Sequence, residues 1–308
     1  MKADGMLPEF ARLPVFRPMP QALIRLSHPF LRAALRMMPV PAELKVRRYR
    51  IPGWQGRPIG VEVVAPRGAE GSPCLIDLHG GAFCFGAAPY HRKLAFRYAM
   101  GARCTVIFPD YHLLPGYPCP AAWEDARLVY AWVGDHAREL GIDRSRVAVC
   151  GDSAGGTLAA YVCAGASERL SLQMLLYPVT DARMTSASMA RFTDTPLWNA
   201  PLNRDMWRRV LHGVPRAERS AYSPMEAPLP ACLPDTYLET AEFDCLHDEG
   251  VAYAHRLADA GARVTLRETR GTVHGYDFIL NHPVTQACVR ARIEALTRAF
   301  ERHGEGNA

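Results

Sequence analysis

The residues best suited to chemistry in this 308-residue chain lie in Gly151-Asp152-Ser153-Ala154-Gly155-Gly156. A serine hydroxyl is a weak nucleophile until a base takes its proton, and that base must be oriented by an acid. The serine must also stand clear of the backbone, beside N–H groups able to meet a developing oxyanion. Residues 146–150 are short, apolar and β-branched, which predicts a buried strand. Residues 157–166 are small and apolar, which suits a helix packed tightly on a sheet. A strand that turns at once into a helix passes close to its own backbone, and Gly151 and Gly155 carry no Cβ at that crossing. Ser153 is therefore expected at the tip of a strained turn and at a helix N-terminus, where free N–H groups favour negative charge.

The base must come from the histidines that follow: His212, His247, His255, His274, His282 and His303. His212 falls in a segment without strand pattern, His247 and His255 lie on one helix, and His303 lies in the polar tail. His282 precedes a proline at a helix start and reads as a surface or capping residue. His274, in Gly271-Thr272-Val273-His274-Gly275, follows the last strand, at the edge where catalytic loops of a parallel sheet collect. For the acid, Asp244 sits just past the strand at 235–240, whereas Asp248 falls inside the next helix and Glu242 comes too early. These candidates follow one another along the chain in the order serine, acid, histidine. His79-Gly80-Gly81-Ala82-Phe83 directly follows another buried strand. Its glycine pair can turn backbone N–H groups toward a ligand.

The elements that must position these residues alternate along the chain. Strands are expected at 44–51, 59–64, 74–78, 105–108, 146–150, 172–177, 235–240 and 263–267. Helices are expected at 90–100, 121–140, 247–260 and 287–300, with Asp125, Arg127 and Glu139 on the wet side of the second. Such alternation means an α/β fold with a mostly parallel, twisted sheet of about eight strands flanked by helices. Two stretches break it. Residues 1–44 are proline-rich with an apolar helical pattern, read as cap helices laid over a pocket rather than as an amphipathic membrane anchor. Residues 181–230 carry Trp198 and Trp207 and read as a cap insertion, so the catalytic body is expected at 45–180 and 231–303. The apolar residues of both stretches are expected to roof the site, with Phe83, Trp198 and Trp207 as pocket walls and a closed pocket that limits acyl length.

Composition narrows the function further. Thirty-six basic and 31 acidic residues leave a net charge of +5; the basic residues are scattered, so nucleic-acid binding is not expected. Nine cysteines show neither CxxC nor Cys/His spacing, which points to reduced thiols, a cytoplasmic setting, no structural disulfides and no metal site. No apolar run reaches membrane-spanning length and no signal-peptide pattern opens the chain, so no stable membrane insertion is expected. A homodimer stays open.

With these motifs in hand the chain resembles the bacterial hormone-sensitive-lipase-like esterases (family IV) of the α/β-hydrolase fold. The resemblance covers residues 45–300 and rests on His79 to Phe83, Gly151 to Gly156, Tyr177-Pro178-Val179-Thr180-Asp181, Phe243 to Gly250 and His274-Gly275. It implies Ser153 as nucleophile, His274 as general base and acid, and Asp244 as its orienting partner. It implies Gly81, Ala82 and Ala154 as oxyanion-hole donors, with His79 and Gly80 supporting that loop. It also implies a cofactor-free carboxylesterase acting on small-molecule esters of short to medium acyl chain. The chain departs from the family pattern at Ala82, where glycine is usual, at Cys245 (proline), at His247 (arginine), and at His112, Leu114 and Gly116, which replace a charged pair. The same triad would serve a deacetylase or a hydrolase of amides or carbamates, and a non-catalytic small-molecule receptor on this fold is the remaining alternative.

Overall fold

The structure, a computed structural model, describes residues 4–230 and 232–305. Two helices, α1 (Pro8–Ala11) and α2 (Gln21–Met37), precede the hairpin of β1 (Leu44–Pro52) and β2 (Pro58–Pro66). The alternating body then runs β3 (Ser72–Leu78), α3 (Pro89–Gly101), β4 (Thr105–Asp110), α4 (Pro120–Asp135), α5 (Ala137–Leu140), β5 (Ile142–Asp152), α6 (Ala154–Gly165) and β6 (Leu172–Leu176). The insertion carries α7 (Ala187–Arg191) and α8 (Ala200–Val210). The chain closes with β7 (Thr236–Phe243), α9 (His247–Asp259), β8 (Val264–Val273) and α10 (Pro283–Glu305).

The eight strands form one sheet in the order β1-β2-β4-β3-β5-β6-β7-β8. β2 runs antiparallel to both β1 and β4, and all other pairs are parallel. The reason is in the sequence. β3 and β5 carry Cys74, Leu75 and Ile76 against Val147, Ala148 and Val149, all buried, because helices cover both faces of the central strands. β1, at the edge, alternates Lys45, Arg48 and Arg50 with half-buried or buried residues, a charged rim that resists further strand pairing. The ends of the parallel strands gather Ser153, Asp244 and His274 on one edge.

Three details differ from expectation. The helix expected at 121–140 ends at Asp135, and His136 separates it from α5. Asp125 is not on a wet face but fully buried: its carboxylate accepts from the N–H of Trp54 at 2.7 Å, the N–H of His112 at 2.7 Å and His112 Nδ1 at 2.8 Å. Thus His112, where the family usually has arginine, still donates to the carboxylate that ties the 112–117 loop to the β1–β2 turn. Finally, much of the apolar surface of the first 44 residues roofs nothing. Leu23, Leu26, Phe30 and Met37 of α2 are 55–83% exposed, and only Ile24 of that helix is buried. It is the linker after α1 that meets the insertion, through Leu197 N–H to Pro14 O at 2.9 Å, Asn199 Nδ2 to Phe16 O at 3.1 Å and an Arg209 guanidinium to Met19 O at 2.8 Å.

Candidate active site

Ser153 is the N-cap of α6 and adopts φ 54°, ψ −118°, a conformation L-residues avoid. Two close approaches force it. A Cβ on Gly151 would stand 2.1 Å from the carbonyl oxygen of Gly155, and one on Gly155 would stand 1.8 Å from that of Leu78. Neither contact is physically possible, so strand β5 and helix α6 can meet this tightly only with glycine at both positions. The turn is fastened by Ser153 N–H to Leu176 O at 2.9 Å, and by Gly156 and Val179 N–H groups donating to Ser153 O at 3.0 and 3.1 Å.

His274 comes from the loop after β8. Its Nε2 lies 2.9 Å from Ser153 Oγ and its Nδ1 lies 2.7 Å from Asp244 Oδ2. Asp244, in the loop after β7, has no exposed surface, and its other oxygen accepts the Leu246 N–H at 3.0 Å. A carboxylate that accepts from Nδ1–H leaves Nε2 as an acceptor for the serine proton. Asp248 is engaged elsewhere, with the N–H of Ser188 at 2.7 Å and His247 Nδ1 at 2.9 Å. Glu242 accepts the Gly271 N–H at 2.7 Å. His212 and His255 are exposed, and His282 Nδ1 accepts the Val284 N–H at 3.3 Å at the start of α10.

The loop after β3 lies beside this turn. Gly81 (φ 119°), Ala82 (φ 55°) and Phe83 (φ 57°) all take positive φ. The N–H groups of Gly81 and Ala82 donate to no backbone carbonyl among the described residues. Ala154 is the first residue of α6, so its N–H has no partner within the helix. The loop is anchored from below. The Asp152 carboxylate accepts the Gly80 N–H at 2.7 Å and pairs with His91 Nε2 at 3.2 Å. Burial opposes charge on both partners, yet His91 holds Asp152 below its usual range and Asp152 holds His91 above its own. His79 donates through Nδ1 to Gly80 O at 2.6 Å and stacks on Tyr111, whose hydroxyl donates to His79 O at 2.7 Å. Burial, then the neighbouring His91, pushes His79 down to about 4, so its ring stays neutral at pH 7.

Of the three aromatic residues expected as pocket walls, Trp198 has its ring 5.8 Å from that of His274. Phe83 is fully buried and stacks on Trp123 at 4.6 Å, and Trp207 is 1% exposed. Ser153 and His274 each expose 6% of their surface, so the turn is nearly closed.

Sequence reasoning placed Tyr177 in a motif but gave it no role at the site. Its ring stands edge-on to His274 at 5.1 Å and its hydroxyl donates to Asp277 Oδ2 at 2.7 Å. Arg292 of α10, itself fully buried, reaches Asp277 at 2.8 Å and Glu239 at 2.5 Å, and Tyr276 also donates to Glu239 at 2.5 Å. Burial raises Asp277, whereas at Glu239 burial is opposed by Arg292 together with the hydroxyls of Tyr237 and Tyr276, which hold it low. The network pins the loop that carries His274. The signal was a pair of acids and an arginine inside apolar segments, where unpaired charge is not tolerated.

The model of a family described by the alpha/beta hydrolase fold matches residues 75–278. The chain belongs to that family, as the motif resemblance to hormone-sensitive-lipase-like esterases implied. It is 36% identical over 255 residues to Esterase LipI of Mycobacterium tuberculosis, covering 79% of this chain and 78% of that protein. It is 35% identical over 286 residues to Carboxylesterase NlhH of the same organism, covering 87% and 88%. The crystal structure of esterase LipW from Mycobacterium marinum superposes with a TM-score of 0.86 at 31% identity, covering 96% of each chain. Among the described residues no helix is long and apolar enough to cross a membrane.

Proposed function

We propose that the chain is a serine carboxylesterase that hydrolyses small-molecule esters of short to medium acyl chain, with Ser153, His274 and Asp244 as its catalytic triad. The observation that carries the reading is the unbroken chain of contacts from Asp244 through His274 to a serine held in a strained turn. Ser153 Oγ attacks the ester carbonyl as Nε2 of His274 takes its proton, giving a tetrahedral oxyanion. The N–H groups of Gly81, Ala82 and Ala154 stabilise that oxygen; such donors are worth about 3–4 kcal/mol each where measured. His274 passes the proton to the departing alcohol, leaving an acyl group on Ser153. Water, deprotonated by the same nitrogen, then releases the acid and restores the hydroxyl. No cofactor or metal takes part.

The acyl-length limit follows from the cover. The linker at 14–19 is stitched to 197–209 by three hydrogen bonds, and Trp198 lies over His274. We assign residues 1–44 and 181–230 as a cap on a body of 45–180 and 231–303, with the linker and insertion doing the covering. Eight buried thiols and one exposed, none in a disulfide, suit a reducing cytoplasm. The test is kcat/KM along nitrophenyl esters from acetate to palmitate, beside amide and acetyl-sugar substrates, for the native chain and for Ser153→Ala. The expected result is a maximum at short to medium chains and a loss of about 10^4-fold or more in the folded variant. Rates that climb to the longest chain, faster turnover of the amides or acetyl sugars, or near-native turnover by Ser153→Ala, overturn the assignment.

A further inference from the structure

The segment 10–42 holds five arginines and no acidic residue. Helix α2, within it, has three distinct faces. Ile24, His28, Leu31 and Leu35, spaced four, three and four, turn toward the body; His28 donates to Cys84 O at 2.6 Å and Ile24 is 4% exposed. Leu23, Leu26, Phe30, Ala33 and Met37, spaced three and four alternately, form a stripe on the solvent side. Arg25, Arg32 and Arg36 form the flank between. Of the nine exposed large hydrophobic side chains among the described residues, seven lie in residues 15–40: Val15, Phe16, Val40 and the four of the α2 stripe. A stripe this concentrated is not the scattered exposure usual for a protein surface.

The charge beside it has the same bias. Arg25 and Arg36 face Arg48 and Arg50 of β1 across a cleft of about 620 Å³, in which Glu62 and Asp110 are the only carboxylates among the described residues. Among the described residues Arg25, Arg36 and Arg50 have no ion-pair partner. The cleft does not include Ser153, Asp244 or His274. Apolar stripe, arginine flank and absence of acid are the pattern of a helix that lies in a lipid interface: the apolar side chains enter the acyl boundary and the guanidiniums reach the phosphates. A second copy fits poorly. Stripe-to-stripe pairing of two antiparallel α2 helices would set Arg36 beside Arg25 of the second copy, with no acid between them.

We propose that α2 is an interfacial helix that docks the folded protein reversibly on an anionic lipid surface, with Leu23, Leu26, Phe30 and Met37 inserted and Arg25 and Arg36 against lipid phosphates. This goes beyond the esterase reading and does not depend on it. The test is flotation of the full chain with phosphatidylcholine vesicles and with vesicles carrying about a third phosphatidylglycerol, at low and high salt. The expected result is binding to the anionic vesicles at least about tenfold tighter than to the neutral ones, weakened by salt. Leu26→Asn/Phe30→Asn and, separately, Arg25→Gln/Arg36→Gln should each lower that binding by about tenfold with the melting temperature unchanged, since these side chains are exposed. Absence of binding by the native chain overturns the proposal, as does binding that survives both double variants. Sedimentation showing a dimer that Leu26→Asn/Phe30→Asn dissociates would assign the stripe to a second copy instead.

Discussion

Replacing Asp244 by asparagine tests the site more sharply than removing the serine, because it changes a proton and almost no volume. Asp244 Oδ1 accepts the Leu246 N–H and Oδ2 faces His274 Nδ1 at 2.7 Å. An asparagine can keep the first bond only by placing its carbonyl oxygen there, which turns its NH2 toward Nδ1. Two N–H groups cannot face each other, so His274 must move its own proton to Nε2. The nitrogen 2.9 Å from Ser153 Oγ then carries a hydrogen and cannot accept another. The wrong tautomer in an otherwise intact site costs about 10^4-fold in kcat in serine proteases, where the effect has been measured, equivalent to about 5.4 kcal/mol. The expectation here is a loss of about 10^3- to 10^4-fold in kcat with KM changed by less than about threefold. Asp248→Asn is the control: its carboxylate is 41% exposed and bonds Ser188 and His247, so activity should fall by less than about threefold. The assay is steady-state hydrolysis of a soluble nitrophenyl ester by both folded variants. A small loss in Asp244→Asn, or equal losses in the two, would refute the tautomer argument.

Gly155→Ala should lower stability by about 3 kcal/mol or prevent folding, since its Cβ would stand 1.8 Å from Leu78 O; Gly165→Ala, with nothing within 4 Å, should be neutral or stabilising. Urea unfolding of the pair checks this. Glu249 is buried and held up at about 8, chiefly by burial and then, against the two N–H groups it accepts, by Asp181 and Asp244. The folded state thus binds this proton more tightly than the unfolded chain. Stability from this group is complete at pH below about 4.5 and is lost as pH rises toward about 8. Glu249→Gln should remove that slope, up to about 1.4 kcal/mol per pH unit, so its gain over the native chain should grow from pH 6 to pH 8; a constant difference across that range would count against it.

What could be read from sequence divides along a physical line. Strand β5, the turn at Ser153 and helix α6 were legible because period, glycine spacing and small side chains all point to one backbone path. The order of the eight strands was not, since nothing local says that β4 inserts between β2 and β3. Asp125 was misread because a charged residue at a helical position scores as solvated, while its partners, Trp54 and His112, lie outside its helix, 71 and 13 positions away. The same blindness hid Tyr177 and Arg292, whose partner Asp277 lies 100 positions from Tyr177. Helix α2 failed in the opposite direction: its apolar residues were expected to cover something, and a periodicity cannot say whether lipid or protein is the cover.

The strained backbone of the molecule is concentrated where the chemistry would be. Among the described residues eight non-glycine residues take positive φ, and Ala82, Phe83, Ser153, Tyr177 and Leu197 among them surround His274 and the turn it faces. Leu197 comes within 3.9 Å of where a Cβ on Gly275 would sit, and Tyr177 is edge-on to the His274 ring. At about 1 kcal/mol for each such residue, the strain is comparable with the lower end of a whole domain's net stability. It persists because the surroundings leave no alternative. Relaxing Ser153 to negative φ would drag Gly155 off the Leu78 carbonyl it already touches, and relaxing Tyr177 would break its hydroxyl from Asp277 and free the loop bearing His274. The buried Arg292–Glu239–Asp277 cluster contributes little net stability as an ion network, given the cost of desolvating its charges. Its effect is to make those relaxations expensive, so that Ser153 and His274 hold a distance of 2.9 Å with no substrate to align them.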